Sequence, residues 1–325
     1  MVTRYPHGIS SMGIPALGGI PPIFGKYFHV CPGATSNGSG LSKEEALADL
    51  QTAYGLCTSG AGDGIILWSY GTTTAGCTSY LTEELTWSKH GITVVGVCAP
   101  TMFAQRARVA SASTATDLTH MIDVTGANNV FMNMSIGNYG SDATALGGIK
   151  VTSGVRNYFY NVHMIGACHA TPAATAAANS LALSGASENT FERCIIGSDT
   201  INSVGTNATW NMSFASGCAR NVFKDCVFLS QTTSGQAAHV AIQFVGAGDS
   251  INRTQYFDNC MFHNYNAGAL SAQTSLVGGT SPNNGYIILH DCGILGYADA
   301  DANSAAIVYS SRAASAADGG VMSAC

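Results

Sequence analysis

The sequence predicts an all-β fold: a single right-handed parallel β-helix, or solenoid, with a short N-terminal capping α-helix and an extended N-terminal arm. Three observations predict it. An apolar triplet recurs with a period of about 30 residues. Each period carries strand patterns and no helical one. Turn residues stand where charge usually would: only 10% of the 325 residues are charged and 38 are glycine, against roughly 25% charge in an ordinary globular domain.

In each triplet an apolar residue is followed by a second three positions on and a third five positions on. The copies are Ile92/Val95/Val97, Phe131/Met134/Ile136, Phe159/Val162/Met164, Phe191/Cys194/Ile196, Phe223/Cys226/Phe228, Phe257/Cys260/Phe262 and Leu289/Cys292/Ile294. The middle residues Met134, Val162, Cys194, Cys226, Cys260 and Cys292 are separated by 28, 32, 32, 34 and 32 positions; the step from Val95 to Met134 is 39, which an insertion would explain. The second and third residues of a triplet lie at alternate positions of one strand and point inward. The odd step of three before them marks a corner, because a straight strand would turn one residue outward.

Four copies share an Asn two residues before the Phe (Asn129, Asn157, Asn189, Asn221) and a Gly five or six before it (Gly126, Gly154, Gly185, Gly217). Asn tolerates left-handed geometry, and its amide can bond to the Asn one coil above. These four are therefore expected to form a structural ladder. A short alternating strand precedes each Gly: Ile122/Val124, Ile149/Val151, Leu181/Leu183 and Met212/Phe214. The fifth copy keeps Ile242/Phe244 but reaches Phe257 through a longer corner containing Asn252.

Coils stacked at ~4.8 Å per rung place like on like. The middle column then becomes an interior ladder of Cys194, Cys226, Cys260 and Cys292. Their Cα spacing falls in disulfide range, but parallel Cβ vectors are poorly directed for bridging. An odd total of 11 cysteines at irregular spacing, without a CxxC pair, fits free buried thiols in a reducing compartment.

Ahead of the coils, residues 1–26 read as an extended arm, holding four of the eight prolines (Pro6, Pro15, Pro21, Pro22). Such a segment forms neither a regular helix nor a central strand, and suits ordering on a partner surface. The β-helix domain is expected over 27–325, with coils from about 62 to 310. Its capping helix is expected over 42–57. Ser42 and Glu45 make an S-x-x-E capping box, and Ala46, Leu47, Leu50, Ala53 and Tyr54 follow at helical spacing. The helix would cover the open first rung.

Charge and hydropathy exclude some classes. The 13 Lys and Arg are scattered in a chain of net charge −6, which argues against a nucleic-acid partner. No stretch approaches the ~18 apolar residues of a membrane helix. The N-terminus lacks the apolar core of a signal peptide.

The inward triplets, the Asn column and the Gly corner together resemble the pectin-lyase-like family of right-handed parallel β-helices, over residues 27–310. Lys26-Tyr-Phe-His-Val, the capped helix, Gly62-Asp-Gly-Ile-Ile-Leu-Trp and Gly91-Ile-Thr-Val-Val-Gly-Val are similar to the opening of many phage and bacterial β-helix chains. The arm Arg4-Tyr-Pro-His-Gly-Ile resembles the start of short β-helix proteins encoded near capsid genes in tailed bacteriophages. The fold carries lyases, hydrolases, tailspikes and inert virion proteins alike, so the resemblance implies the fold more strongly than any activity. What it implies is a virion structural protein made in the host cytoplasm, a capsid decoration or head-associated protein. Its partners would be the major capsid protein or other virion proteins, with Arg4, Tyr5 and Pro6 as capsid contacts. A homotrimer is the expected assembly. No cofactor, metal, nucleic acid or membrane is implied.

Polysaccharide-cleaving β-helices need carboxylates clustered on one outer face. The chain has six Glu: Glu44, Glu45, Glu83, Glu84, Glu188 and Glu192. The column just before the cysteines, Asn133, Asn161, Arg193, Asp225, Asn259 and Asp291, offers two carboxylates, Asp225 and Asp291. They are two rungs or about 10 Å apart, at or beyond the ~6.5–9.5 Å of an inverting pair. They define a weak glycosidase alternative, the rest of the column reading as an exposed polar ladder. The nine His, among them His163 and His290 beside the inward columns, show no metal-ligand spacing. The functional alternative to a capsid role is a tailspike or tail-fibre protein that recognises, and could cleave, a surface polysaccharide; a secreted polysaccharide lyase is less favoured. The low charge of the loops 136–148, 167–180, 197–210 and 263–285 suits modest packing contacts or weak glycan binding.

Overall fold

The computed structural model describes residues 25–34, 37–69, 77–112, 118–203, 207–233, 238–246, 249–266, 274–279 and 284–299, with short pieces at 10–11, 14–15, 115 and 307–309. Arg4, Tyr5 and Pro6, and most of the arm, lie outside the described residues.

The chain forms a parallel β-solenoid of about six turns. One seven-stranded sheet stacks Leu85–Trp87, Ile122–Val124, Ile149–Thr152, Leu181–Ser184, Trp210–Ala215, Val240–Phe244 and Val277–Gly279 in chain order. A 16-stranded sheet bends round the rest of each coil. Before the bend it holds the starts of Val130–Asn138 and Tyr158–Ala167, then Thr190–Glu192, Val222–Lys224, Gln255–Asp258 and Ile287–His290; after the bend come Ile195–Ser203, Val227–Thr232, Met261–Asn266 and Gly293–Leu295. The strand pairs in both sheets are parallel.

The register follows the triplets. Phe131, Phe159, Phe191, Phe223, Phe257 and Leu289 stand directly above one another. The five phenylalanine rings stack at 4.9, 4.7, 4.7 and 4.6 Å, with planes 5 to 9° apart. That spacing is the rung spacing of the sheet, so the side chains continue the periodicity of the backbone. Each buried Phe contributes about 1.5–3 kcal/mol from area alone.

The bend predicted from the step of three is made by a single residue. Asn133, Asn161, Arg193, Asp225, Asn259 and Asp291 all have left-handed φ, between 48° and 52°. One such residue breaks the strand alternation, so apolar neighbours on both sides of it face the core. Asn and Asp tolerate this conformation better than other side chains with a Cβ, which explains five of the six identities.

A second left-handed column, Asn128, Arg156, Glu188 and Arg220, with φ of 53 to 59°, corrects an expectation. The left-handed residue is the one before each ladder Asn, not the ladder Asn. The outer residue makes the turn, which leaves the ladder Asn inside the corner with its amide free to bond in both directions. In this column Glu188 is salt-bridged to Arg156 at 2.8 Å and to Arg220. Its carboxyl is held below the usual range, by the Arg220 hydrogen bond first.

The first triplet also needs correction. Phe131 stands over Val94, not Ile92, and Val95 pairs with Met132 on the outer face. Ile92 and Val94 are buried, so Thr93–Val97 is a plain alternating strand without the left-handed bend. The inward place under Ile136 is filled by Val109 of the separate strand Arg108–Ser111.

The helix is shorter than the expected 42–57, running over Leu50–Leu56 with Asp49 as its N-cap. Asp49 Oδ1 accepts from the Thr52 amide at 2.7 Å. Ser42 does accept from the Glu45 amide at 3.2 Å, but the Glu45 carboxylate accepts from Ser39 Oγ, so the reciprocal half of the capping box is absent. Leu47 instead forms a parallel bridge to Val30. Its burial at 1% exposure holds this stretch extended. The helix buries Leu50, Ala53 and Tyr54, and the Tyr54 ring lies 4.2 Å from Trp87. Lys89 Nζ donates to the carbonyls of Tyr54, Gly55 and Cys57, placing a cation where the helix dipole favours one.

Candidate functional site

The four asparagines form a continuous hydrogen-bonded column. Asn129 Nδ2 donates to Asn157 Oδ1 at 3.1 Å, Asn157 to Asn189 at 3.0 Å, and Asn189 to Asn221 at 3.0 Å. Each accepting oxygen also takes the backbone N–H of the residue below it. The amides of Asn157, Asn189 and Asn221 cap the carbonyls of Gly126, Gly154 and Ala186. Gln255 extends the column, its Oε1 accepting from Asn221 Nδ2 at 2.9 Å. Gln255 also lies two residues before a triplet Phe, so an amide rather than an Asn was the signal to follow. The corner glycines serve two needs: Gly217 takes φ +75°, whereas a Cβ on Gly126 would lie 2.1 Å from the Lys89 carbonyl oxygen.

Cys194, Cys226, Cys260 and Cys292 form the expected interior column. Their thiols donate to the carbonyls of Phe159, Phe191, Phe223 and Phe257 at 3.3 to 3.6 Å. All four are free and buried. Burial pushes Cys226 and Cys260 well above the ordinary thiol range, which holds them as thiols and inert packing groups.

Chemistry is therefore sought on the outside. In each strand before the bend, the residues flanking the inward Phe face out. The register aligns Tyr158, Thr190, Val222, Tyr256 and Ile288 in one outer column and Tyr160, Glu192, Lys224, Asp258 and His290 in the next. The left-handed residues Asn161, Arg193, Asp225, Asn259 and Asp291 edge this lane. Along about 20 Å of solenoid it presents three tyrosines among charges of alternating sign.

Its groups are paired with one another. Tyr158 Oη donates to Glu192 Oε2 at 2.8 Å, and burial followed by this bond raises the phenol above its ordinary range. His290 Nδ1 lies 2.7 Å from Asp258 Oδ1 and 3.6 Å from Asp291 Oδ2. The Asp258 hydrogen bond, helped by the Asp291 charge, raises the imidazole pKa. Tyr256 stacks 6.2 Å from the His290 ring.

Asp225 and Asp291 are not brought together. Asn259 stands between them and donates to Asp225 Oδ1 at 2.6 Å, while Asp291 faces His290. Both are bend residues, which accounts for their identity without catalysis. The grouping with most chemistry is Asp258, His290 and Asp291, and sequence reasoning missed it by following only the column next to the cysteines. Asp258 and His290 each lie one residue earlier, at equivalent triplet positions. Among the described residues no group of three or more His, Cys, Asp or Glu is placed to hold a metal ion. No described helix is long and apolar enough to cross a membrane.

No protein-family model and no curated protein matches the chain. Solved structures do. A pectate lyase superposes with a TM-score of 0.52 at 15% identity, covering 82% of this chain and 68% of that one. A pectin methylesterase from Aspergillus niger gives 0.53 at 12% identity, covering 89% and 84%. A pectin methylesterase in complex with a hexasaccharide gives 0.50 at 14% identity, covering 80% and 78%. These likenesses carry the fold alone, the right-handed parallel β-helix of the pectin-lyase-like kind.

Proposed function

We propose that the chain recognises a polysaccharide along the outer lane of Tyr158, Tyr160, Glu192, Lys224, Tyr256, Asp258 and His290. The observation that carries this reading is one outer face with tyrosines on its first and fourth rungs and polar side chains paired between adjacent rungs, Tyr158 with Glu192 and Asp258 with His290. A sugar polymer offers apolar ring faces that aromatic rings cover and hydroxyls that carboxylates, imidazole and amides bond. An extended chain of such units meets a lane better than a point. A structural neighbour was solved with a hexasaccharide, which supports the class of ligand.

Recognition is the primary role. Cleavage is a further reading carried by one group of three: His290, its pKa raised by the Asp258 hydrogen bond and the Asp291 charge, lies beside both carboxylates on the same face. In the weaker pair of Asp225 and Asp291, Asn259 stands between the two carboxylates and donates to Asp225. This is the role of the tailspike or tail-fibre alternative.

The test is a panel of neutral and acidic polysaccharides scored by affinity electrophoresis. Wild type is expected to be retarded by at least one polymer, and Tyr158→Ala/Tyr256→Ala to lose at least tenfold in affinity with its thermal midpoint little changed. Equal retardation of the variant would overturn the lane as the site.

The capsid-associated role stands as a second proposal. Arg4, Tyr5 and Pro6 carry it, from outside the described residues, and the fold accommodates it. Counting this chain against the major capsid protein in purified particles separates the two. A simple ratio to the capsid subunit supports decoration, and a handful of copies supports polysaccharide recognition. Absence from particles removes both virion settings and leaves the lane to be tested by itself.

A further inference from the structure

At the ends of Tyr158–Ala167, Ile195–Ser203 and Val227–Thr232 furthest from the lane, beside the start of Trp210–Ala215, the surface opens into a cleft. Its cavity volume is about 60 Å³, several times the ~10–15 Å³ that one water needs on the same measure. Ile165, Ala173 and Leu229 give it an apolar wall, and Trp210, Ser230 and His239 a polar one; none of its lining residues carries a carboxylate, ammonium or guanidinium.

The polar wall is nearly saturated. Ser230 Oγ lies 2.9 Å from His239 Nε2, 2.9 Å from Asn211 Oδ1 and 3.1 Å from Tyr297 Oη. His239 Nδ1 lies 3.0 Å from Thr209 Oγ1. Burial pulls the His239 pKa down to about 3, so the imidazole is neutral near pH 7 and a poor proton acceptor for Ser230. The Ser–His pair is thus a fixed hydrogen-bonding frame and not a nucleophile with its base. Two lining residues each keep a buried group with no hydrogen-bond partner, the acceptor Asn179 Oδ1 and the donor Trp210 Nε1. A buried donor without a partner is costly and uncommon, and here it belongs to a residue lining an open, uncharged cleft.

We propose that this cleft is a subsite for the acetyl substituent of an acetylated sugar. The methyl group lies against Ile165, Ala173 and Leu229, and the carbonyl oxygen accepts from Trp210 Nε1. The neutral wall admits an uncharged acyl group, and the volume limits it to a few heavy atoms. N-acetyl and O-acetyl groups share this chemistry. The inference rests on the polysaccharide reading but uses different residues.

The test uses the full chain and tryptophan fluorescence. The ligands are acetamide, an N-acetylated chito-oligosaccharide and its deacetylated form, and an O-acetylated xylo-oligosaccharide and its saponified form. Acetamide is expected to perturb the fluorescence. At least one acetylated oligosaccharide is expected to bind about fivefold or more tighter than its partner, the loss one hydrogen bond would give. Trp210→Phe, which keeps the ring and removes the N–H, and Ala173→Leu, which fills the cleft, are each expected to abolish the preference. Tyr158→Ala is expected to keep it. No preference within either pair, or a preference that survives both cleft variants, overturns the subsite. If wild type still binds deacetylated polymer along the lane, the subsite alone has failed; if it binds no saccharide and no acetamide, both readings have.

Discussion

Asn189 shows how much one side chain can hold. Its oxygen accepts from both the backbone and the side chain of Asn157, and its amide donates to Asn221 and to the Gly154 carbonyl. Asn189→Ala strands several buried groups at once, each costing about 1–3 kcal/mol. We expect a loss of at least about 3 kcal/mol in urea unfolding, and Asn189→Asp to recover little of it because an acid cannot donate upward. A loss under 1 kcal/mol would mean that water replaces the ladder. The column was legible in the sequence because a ladder needs the same residue at the same offset. Its Gln255 extension and the left-handed neighbours were not, since either amide satisfies the first and Asn, Arg and Glu all occupy the second. Asp258 and His290 escaped for a similar reason: outward positions carry no apolar pattern, and their pairing exists only once the register is known.

At the scale of the element, the unit is the stack and not the strand. Strands such as Thr190–Glu192 and Val222–Lys224 are three residues long and could not persist alone. Their stability comes from the rungs above and below, where Phe191 lies 4.7 Å from both Phe159 and Phe223. Phe191→Ala is expected to cost about 3–5 kcal/mol, and Phe191→Leu less, measured by the same unfolding assay. Equal costs would show that the stack contributes only volume. The coils from Phe131 onward were readable because the inward triplet survives every loop insertion. The first coil was not: Thr93–Val97 keeps apolar residues at a similar spacing without the bend, and spacing alone cannot tell a corner from a straight alternating strand. The helix start was misplaced because a capping pattern at Ser42 competes with the burial of Leu47, and burial wins.

For the whole molecule, the low charge concentrates pH sensitivity in a few buried histidines. Burial pulls His120 down to about 4 and His239 to about 3. In the unfolded chain both titrate near 6.5. Above that pH both states are neutral and the stability is whole. As the pH falls, the unfolded chain binds protons that the folded one refuses, so stability drops by up to about 1.4 kcal/mol per pH unit per histidine until the folded values are reached. The urea midpoint should fall between pH 7 and pH 4.5, and His239→Gln should flatten the slope; an unchanged wild-type midpoint would contradict the burial of these rings. The same reticence about charge shapes the outer surface, where the lane stands out by its tyrosines and its paired acids and bases. The most direct test of that lane is hydrogen–deuterium exchange of the full chain with and without the polysaccharide it binds best. The account predicts slowed exchange in 158–160, 190–192, 222–224, 255–258 and 287–290 together, one peptide per rung. Protection confined to the loops, with those five segments unchanged, would contradict it.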